Sequence, residues 1–504
     1  MSLPVGAPEE QPEGAAERAL GERLGDLRRR AQAAESHSLD ARRLVALLVD
    51  QGSFAEVGTF ASFNRPITDP GTPWPQGPVG GQATIAGRPV IVVAEGEAGS
   101  DPHGAKAARL YEIAVNRRLP FLHILHGTGE PDLGERVEKT GTKRARTFAA
   151  GPAFPYLLQR DRTIPVIAMV AGDTFGRAAF TAGLCDVLVQ VQGTRLSAAA
   201  MSGDPSHRDA TGLVDITAPT IDQACAEVRK VLGYLPSHAG GTLPVTEAEV
   251  GPDDDDIATL VPARRTRAYD MKAVIRRLCD PHSLYELKPY FARNVVTGFA
   301  RFAGHPAGVV ATAPIHSAGA LTPDSCVKAV AFAALCDSFG LPLVLLQDTP
   351  GFLVSGAAER DRAVVRSMTM LQALDLATVP KIAVVIRKAF GLAFVIMAAN
   401  KSGDLLLAWP HAEIGFMDPP VAANVLFEPQ TRDMGAEERA AFLAARLAEL
   451  AVNFEPYGVA TQMAIDEVIE PGSTRRRIVD FLRATAGRES EPRARPLASW
   501  PRWP

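Results

Sequence analysis

Apolar runs of strand length recur along this chain, each closed by glycine or proline and followed by residues at helical spacing. In the first half, ATIAGRPVIVVA predicts a sheet region turning at Gly87, followed by a helix from Ala105 to Asn116. PFLHILHGTG and TIPVIAMVAGD predict strands, with a helical stretch around Arg144–Leu158 between them; FGRAAFTAGLC and DVLVQVQGTRLSA follow. In the second half, LVLLQDTPGF predicts a strand, and VPKIAVVIRKAFGLAF predicts another that runs through a glycine turn into a helix. LLLAWPHAEIGF reads as a third strand and VAANVLF as a short helix. Strands alternating with helices predict a mainly parallel, layered α/β fold. Ahead of this, Leu20, Leu24 and Leu27 predict a surface helix over 15–34. DARRLVALLVDQGSF predicts a shorter helix, capped by Asp40 and ended by Gly52. Thr59–Gly81 reads as loop, and Ala436–Leu450 and Thr474–Ala484 as helices.

The pattern restarts midway. ARRLVALLVDQGSFAEV matches MKAVIRRLCDPHSLYEL, and TIAGRPVIVVA matches RFAGHPAGVVA. In the same order, Pro120 matches Pro342, Pro165 matches Pro380 and Gly176 matches Gly391. The chain therefore reads as two copies of one domain. The expected division is a disordered leader over 1–14, a first domain over 15–250, an acidic linker over 251–262, a second domain over 263–487 and a disordered tail over 488–504. Asp253–Asp256 suits a solvated linker better than a metal site, because adjacent carboxylates repel and lack fixed geometry.

In the second half, two buried strands each end in glycine or proline before a helix. Such turns present backbone N–H groups at the mouth of a sheet, where they can hold a developing oxyanion without a catalytic side chain. Arg387 and Lys388 adjoin the second turn and are expected to add positive charge there. This half reads as the active part of an enzyme that makes an enolate-like anion.

Composition narrows the field. With 504 residues and a net charge of -4, the chain gives no electrostatic reason to expect a nucleic-acid partner. Its five cysteines lack C-x-x-C spacing, the N-terminus is not a secretory signal, and charges interrupt the most apolar window, Ile382–Ala399. A cytoplasmic protein without a membrane span is expected. Gly127, Gly129 and Gly134 miss dinucleotide spacing. His123 and His126, three apart on a strand, point to opposite faces and do not suggest a shared metal. No G-x-S-x-G elbow is present. His316 and His411 suggest no partner.

Over about Asp40 to Arg483 the chain resembles the biotin-dependent acyl-CoA carboxyltransferase family, which includes the β-subunits of propionyl-CoA and related carboxylases. The resemblance is carried by ARRLVALLVDQGSF, YDMKAVIRRLCD, NVVTGFARFAGHPAGVVA, LQDTPGF, ATVPKIAVVIRKAFGLAFVIM and AWPHAEIGFM, in that order. It implies two tandem crotonase-like (ββα superhelix) domains. It also implies carboxyl transfer from carboxybiotin, carried by a partner biotin carboxylase/biotin carrier chain, to the α-carbon of a short acyl-CoA. The family's paired amides map to Gly391–Leu392 and Gly176–Arg177, where the family has Gly-Gly. An amide donor survives the change of side chain, but Leu392 and Arg177 would crowd the turns. Substrate-binding positions implied are Gly127, Thr128, Gly129, Ala178, Ala393, Phe394, Val395, Thr349, Pro350 and Gly351. For Phe394 and Val395, ordinary helix core is the other reading.

Several places depart from the family. His126-Gly127-Thr128-Gly129-Glu130 stands where the family has Ser-Gly-Gly-Ala-Arg, and AGSDPHGAK and MSGDPSHRDATGLVD are reduced. Two alternatives follow: a decarboxylase or transcarboxylase chain, or a non-catalytic paralogue assembling with an active β-subunit. The family also implies a homo-oligomer, a dimer at least and a hexamer in its full form, with each site spanning two subunits.

Overall fold

A computed structural model describes residues 13–35, 39–61, 77–95, 104–127, 157, 161–199, 207–247, 254–398, 402–451, 454–488 and 496–500. The duplication is visible in the sheets. The first half holds β1 (Ala55–Glu56), β2 (Val79–Ile85), β3 (Arg88–Ala94), β4 (Phe121–Gly127), β5 (Val166–Phe175), β6 (Val187–Val191), β7 (Leu196–Ser197) and β8 (Ile216–Ala218). The second holds β9 (Tyr285–Leu287), β10 (Val295–Phe302), β11 (His305–Thr312), β12 (Leu343–Thr349), β13 (Lys381–Phe390), β14 (Leu405–Ala408), β15 (Glu413–Gly415) and β16 (Glu467–Val468). The order in the first sheet is β1-β2-β3-β4-β5-β6-β8 with β7 on β5; in the second it is β9-β10-β11-β12-β13-β14-β16 with β15 on β13. Each sheet opens with an antiparallel hairpin and continues in parallel, so both are covered by helices and their central strands are apolar throughout. These are two tandem crotonase-like domains.

The copies also share their polar fastenings. Asp50, after the first helix, accepts the N–H of Ala86 and Gly87 at 2.9 Å each, and Asp280 accepts those of Ala303 and Gly304 at 2.8 and 2.7 Å. Asp186 accepts Val166 N–H at 2.9 Å where Asp404 accepts Lys381 N–H at 2.8 Å. Asp215 accepts Leu188 N–H at 2.7 Å where Asp466 accepts Leu406 N–H at 2.6 Å. The same three therefore hold hairpin and strand ends in both halves.

One core cluster draws on both halves, from Leu44, Val92 and Val228 to Phe299, Phe332 and Met397. Tyr234 stacks on Phe299 at 5.4 Å. Beside it Lys328 is fully buried, and its ammonium donates to the carbonyls of Lys288, Phe291 and Val295 at 2.7–2.9 Å. Lys288 in turn pairs with Asp215 of the first half at 2.7 Å.

Several expectations are corrected. The acidic linker is folded where it is described: Asp255–Leu260 forms a 3-10 helix, Asp254 caps it, and Ile257 and Val261 enter the second-half core. Apolar residues spaced three to four apart anchor it despite the aspartates. The tail is also partly seated. Leu497 is buried, and the Arg162 guanidinium donates to the carbonyls of Leu497, Ala498 and Trp500. The single strand expected from LLLAWPHAEIGF is two, β14 and β15, separated by a turn at Pro410, which has no N–H for a ladder. The short helix Leu39–Leu48 takes Asp40 into its first turn and ends before Gly52, and the expected loop gives way to β2 at Val79. The helical stretch around Arg144–Leu158 lies outside the described residues, apart from Leu157.

Candidate active site

The two glycine turns form at matching places. β5 runs into the helix Gly176–Gly183 and β13 into Gly391–Met397, and the leading glycines sit at φ +56° and +61°. That left-handed region is open to glycine at no steric cost. A Cβ on Gly391 would reach 3.0 Å from the Phe416 carbonyl oxygen, so the turn is a cradle of bare backbone.

Parallel pairing brings further expected residues alongside. Gly127 is paired with Thr174, two residues before the first turn, and Thr349 with Ala389, two before the second. Both pairings follow a register shift. Thr128 and Gly129 lie outside the described residues. Pro350 and Gly351 border the second turn. Gly351 is at φ +124°, and its carbonyl accepts Leu321 N–H at 2.9 Å.

Other expectations need correcting. Ala178 and Ala393 are fully buried, each within a core cluster. Thr349 is buried too, and its hydroxyl is within 3.2 Å of both the Gly351 N–H and carbonyl, closing its own turn. It shapes the wall. Phe394 packs against a small core cluster, and Val395 is half-buried. In the first turn the Gly176 N–H donates to the Ala198 carbonyl at 3.2 Å, so that member of the expected pair is already engaged.

Arg387 and Lys388 do not supply a free positive field. Arg387 donates through Nε to Asp348 at 2.9 Å and through Nη1 to the carbonyls of Pro262 and Arg267. Its guanidinium lies over the Tyr269 ring at 4.9 Å. Asp348 also accepts the Lys388 N–H at 3.2 Å, with Lys388 Nζ at 3.7 Å. Burial pushes the Lys388 ammonium down against the pull of Asp348, and raises the Tyr269 hydroxyl well above its ordinary value. Asp348 is the keystone of the second turn. Sequence reading missed it because the first half has His126 at the matching place; its only signal was an acid closing an otherwise apolar strand.

The first turn has a different charged group behind it, also missed. His123 Nε2 lies 3.0 Å from Glu95 Oε1, and Arg177 Nη1 lies 3.7 Å from the same oxygen, all three side chains being buried. Burial raises the Glu95 carboxyl, but the His123 hydrogen bond and then the Arg177 charge outweigh it and hold the group below its ordinary value. A depressed folded-state pKa stabilises the protein above the unfolded value of 4.5, and that contribution is lost as pH falls through the lowered value. Glu95→Gln should therefore flatten the melting temperature against pH below about 4.5. A melt series from neutral to acid pH checks this, and an unchanged slope would contradict it.

Each half is a crotonase-like domain in which a glycine-led turn joins a buried strand to a helix. The chain belongs to the carboxyl transferase domain family, whose model matches residues 35–496, and it is a carboxyltransferase. It is 31% identical over 493 residues to the propionyl-CoA carboxylase beta chain of Roseobacter denitrificans, covering 92% of this chain and 94% of that one. It is 30% identical over 481 residues to the methylmalonyl-CoA decarboxylase subunit alpha of Veillonella parvula, covering 89% and 90%. Among solved structures it resembles transcarboxylase 12S, a hexamer with methylmalonyl-coenzyme A and methylmalonic acid bound, at TM-score 0.84, 27% identity and 98% and 99% coverage.

Proposed function

We propose that this chain is the carboxyltransferase subunit of a biotin-dependent acyl-CoA carboxylase, with a short acyl-CoA as acceptor. The observation that carries the reading is the duplicated turn, one bare glycine at positive φ per half, in a chain of the carboxyl transferase family. Biotin, carried by a partner chain, supplies the activated carboxyl group. At Gly391 the backbone is bare, and the N–H groups of Gly391 and Leu392 would hold the ureido oxygen. The first turn, through Arg177 N–H, would stabilise the thioester oxygen as the α-proton leaves and negative charge develops there. Exposed apolar side chains beside both turns, Phe180, Leu392, Phe416 and Val425, suit a homo-oligomer in which a second copy covers them. Among the described residues no helix is long and apolar enough to cross a membrane, and we place the protein in the cytoplasm.

The test combines the chain with a biotin carboxylase/carrier partner, ATP, labelled bicarbonate and a panel of short acyl-CoAs. Label in acid-stable CoA product is expected, most strongly with propionyl-CoA. The likeness to the decarboxylase subunit and to transcarboxylase 12S supports a second reading, the same transfer run from a carboxylated thioester. Consumption of methylmalonyl-CoA with free biotin and no ATP, without the ATP-dependent reaction, would favour it.

A further inference from the structure

The three aspartate fastenings recur in both halves, but the buried acid behind the first turn does not. Glu95, His123 and Arg177 correspond, by hairpin register and turn position, to Thr312, Leu345 and Leu392. The second half builds the same sheet and turn with no charge at these places. Burying ionisable groups is expensive, and apolar replacements of similar volume are often as stable or more so. The second half buries its own acid, Asp348, against strand residues Arg387 and Lys388, whereas Glu95 faces a residue of the turn helix itself, which points to a task that differs between the halves.

Its geometry shows which task. Glu95 follows β3 directly, and its N–H donates to the Ile124 carbonyl at 2.9 Å, so its backbone is fixed by the sheet. His123 sits on the neighbouring strand, paired with Val93. Arg177 is the second residue of the turn helix. Its side chain is only 4% exposed and lies toward Glu95, whereas Leu392 at the matching place is 42% exposed. Among the described residues Glu95 Oε2 and His123 Nδ1 are buried without a hydrogen-bond partner, a cost that a purely structural cluster would be expected to avoid.

We propose that Glu95 is a positioning residue that draws the Arg177 side chain inward, off the first turn, and fixes the direction of the Arg177 backbone N–H. The family's glycine needs no such device; an arginine does. His123, hydrogen-bonded to the same carboxylate oxygen, holds Glu95 in the rotamer that reaches Arg177. This rests on the carboxyltransferase reading for its kinetic consequence but not for its structural one.

The experiment is a double-mutant cycle on the full chain with its biotin-carrying partner and propionyl-CoA. Glu95→Gln is expected to lower kcat by about tenfold or more, as a misplaced donor does, with a smaller change in KM. Whatever rate Arg177→Gly itself has, adding Glu95→Gln to it should change kcat by less than about threefold, because the side chain that Glu95 holds is no longer there. A purely structural glutamate would not be rescued by removing the arginine. Glu95→Gln lowering kcat equally in the wild-type and Arg177→Gly backgrounds, or a Glu95→Gln enzyme with wild-type kcat, overturns the proposal. If Glu95→Gln does not fold, Glu95→Asp, whose shorter carboxylate falls short of Arg177, takes its place in the same cycle with the same outcomes. Amide hydrogen exchange is read on the same proteins, so that inactivity of the wild type, which would count against the carboxyltransferase reading, leaves this inference testable. Exchange in residues 176–178 should rise about tenfold in Glu95→Gln while 391–397 stays unchanged. Equal exchange in both proteins overturns it.

Discussion

Asp348→Ala is expected to destabilise the protein by about 3–5 kcal/mol, because it leaves two buried cations without their counter-charge. Asp348 is 0% exposed and Arg387 2% exposed, and Arg387 Nε donates to Asp348 at 2.9 Å. The backbone acceptors around Arg387 cannot take over, because the carbonyls of Pro262 and Arg267 are already used. A loss of this size is a large share of the roughly 5–15 kcal/mol by which domains are stable. Chemical denaturation followed by circular dichroism measures it. Asp348→Ala with Arg387→Met should recover part of the loss, because the double change removes the unpaired charge. As a comparison, breaking the half-exposed Asp173–Arg195 pair should cost far less, since solvent screens it. If Asp348→Ala costs no more than that surface pair, Asp348 is not the keystone described here.

Gly391→Ala is expected to act mainly on turnover. At φ +61° an alanine pays about 1–2 kcal/mol, and its methyl would press the Phe416 carbonyl at 3.0 Å. The backbone has to shift to relieve both, which moves the donors of the second turn. Losing one oxyanion donor typically lowers kcat by about 10²–10³, and a comparable loss is expected here with most of the fold intact. Gly487 is the control: it lies at φ +75° with nothing within 4 Å of a built Cβ. Gly487→Ala should pay the conformational cost of about 1 kcal/mol and leave turnover unchanged. Paired melts and rate measurements separate the two. Turnover lost equally in both variants would mean that the effect at Gly391 is general destabilisation.

The sheets were legible in the sequence because buried parallel strands read as apolar runs, and the duplication because prolines and glycines punctuate both copies in one order. Gly176 and Gly391 were found for the same reason: a glycine between strand and helix has few uses other than a positive φ. The short strands β7, β15 and β16 were not separable, since two or three residues carry no period. The acidic run misled, because Asp254–Asp256 dominates the composition while Ile257 and Val261 decide the packing. In the same way Arg387 and Lys388 were read as free charges next to a turn. Sequence spacing could not reveal Asp348, which reaches them from a neighbouring strand. Glu95 and His123 escaped because each looked like an isolated polar residue at or near a strand. The cluster exists only once β3, β4 and the turn helix are brought together. Pattern finds what a local rule demands; partners that meet across the sheet need coordinates.

The claim that both halves share the stabilisation of charge during carboxyl transfer is tested most directly by one rate. Transfer of labelled carboxyl from the biotin-carrying partner to propionyl-CoA is measured in single turnover for wild type, Gly176→Ala and Gly391→Ala, each shown to be folded by its melt. Each turn variant is expected to fall by about 100-fold or more while the wild type turns over. Folded variants that transfer label at the wild-type rate would contradict it, because neither turn would then be stabilising the charge that forms.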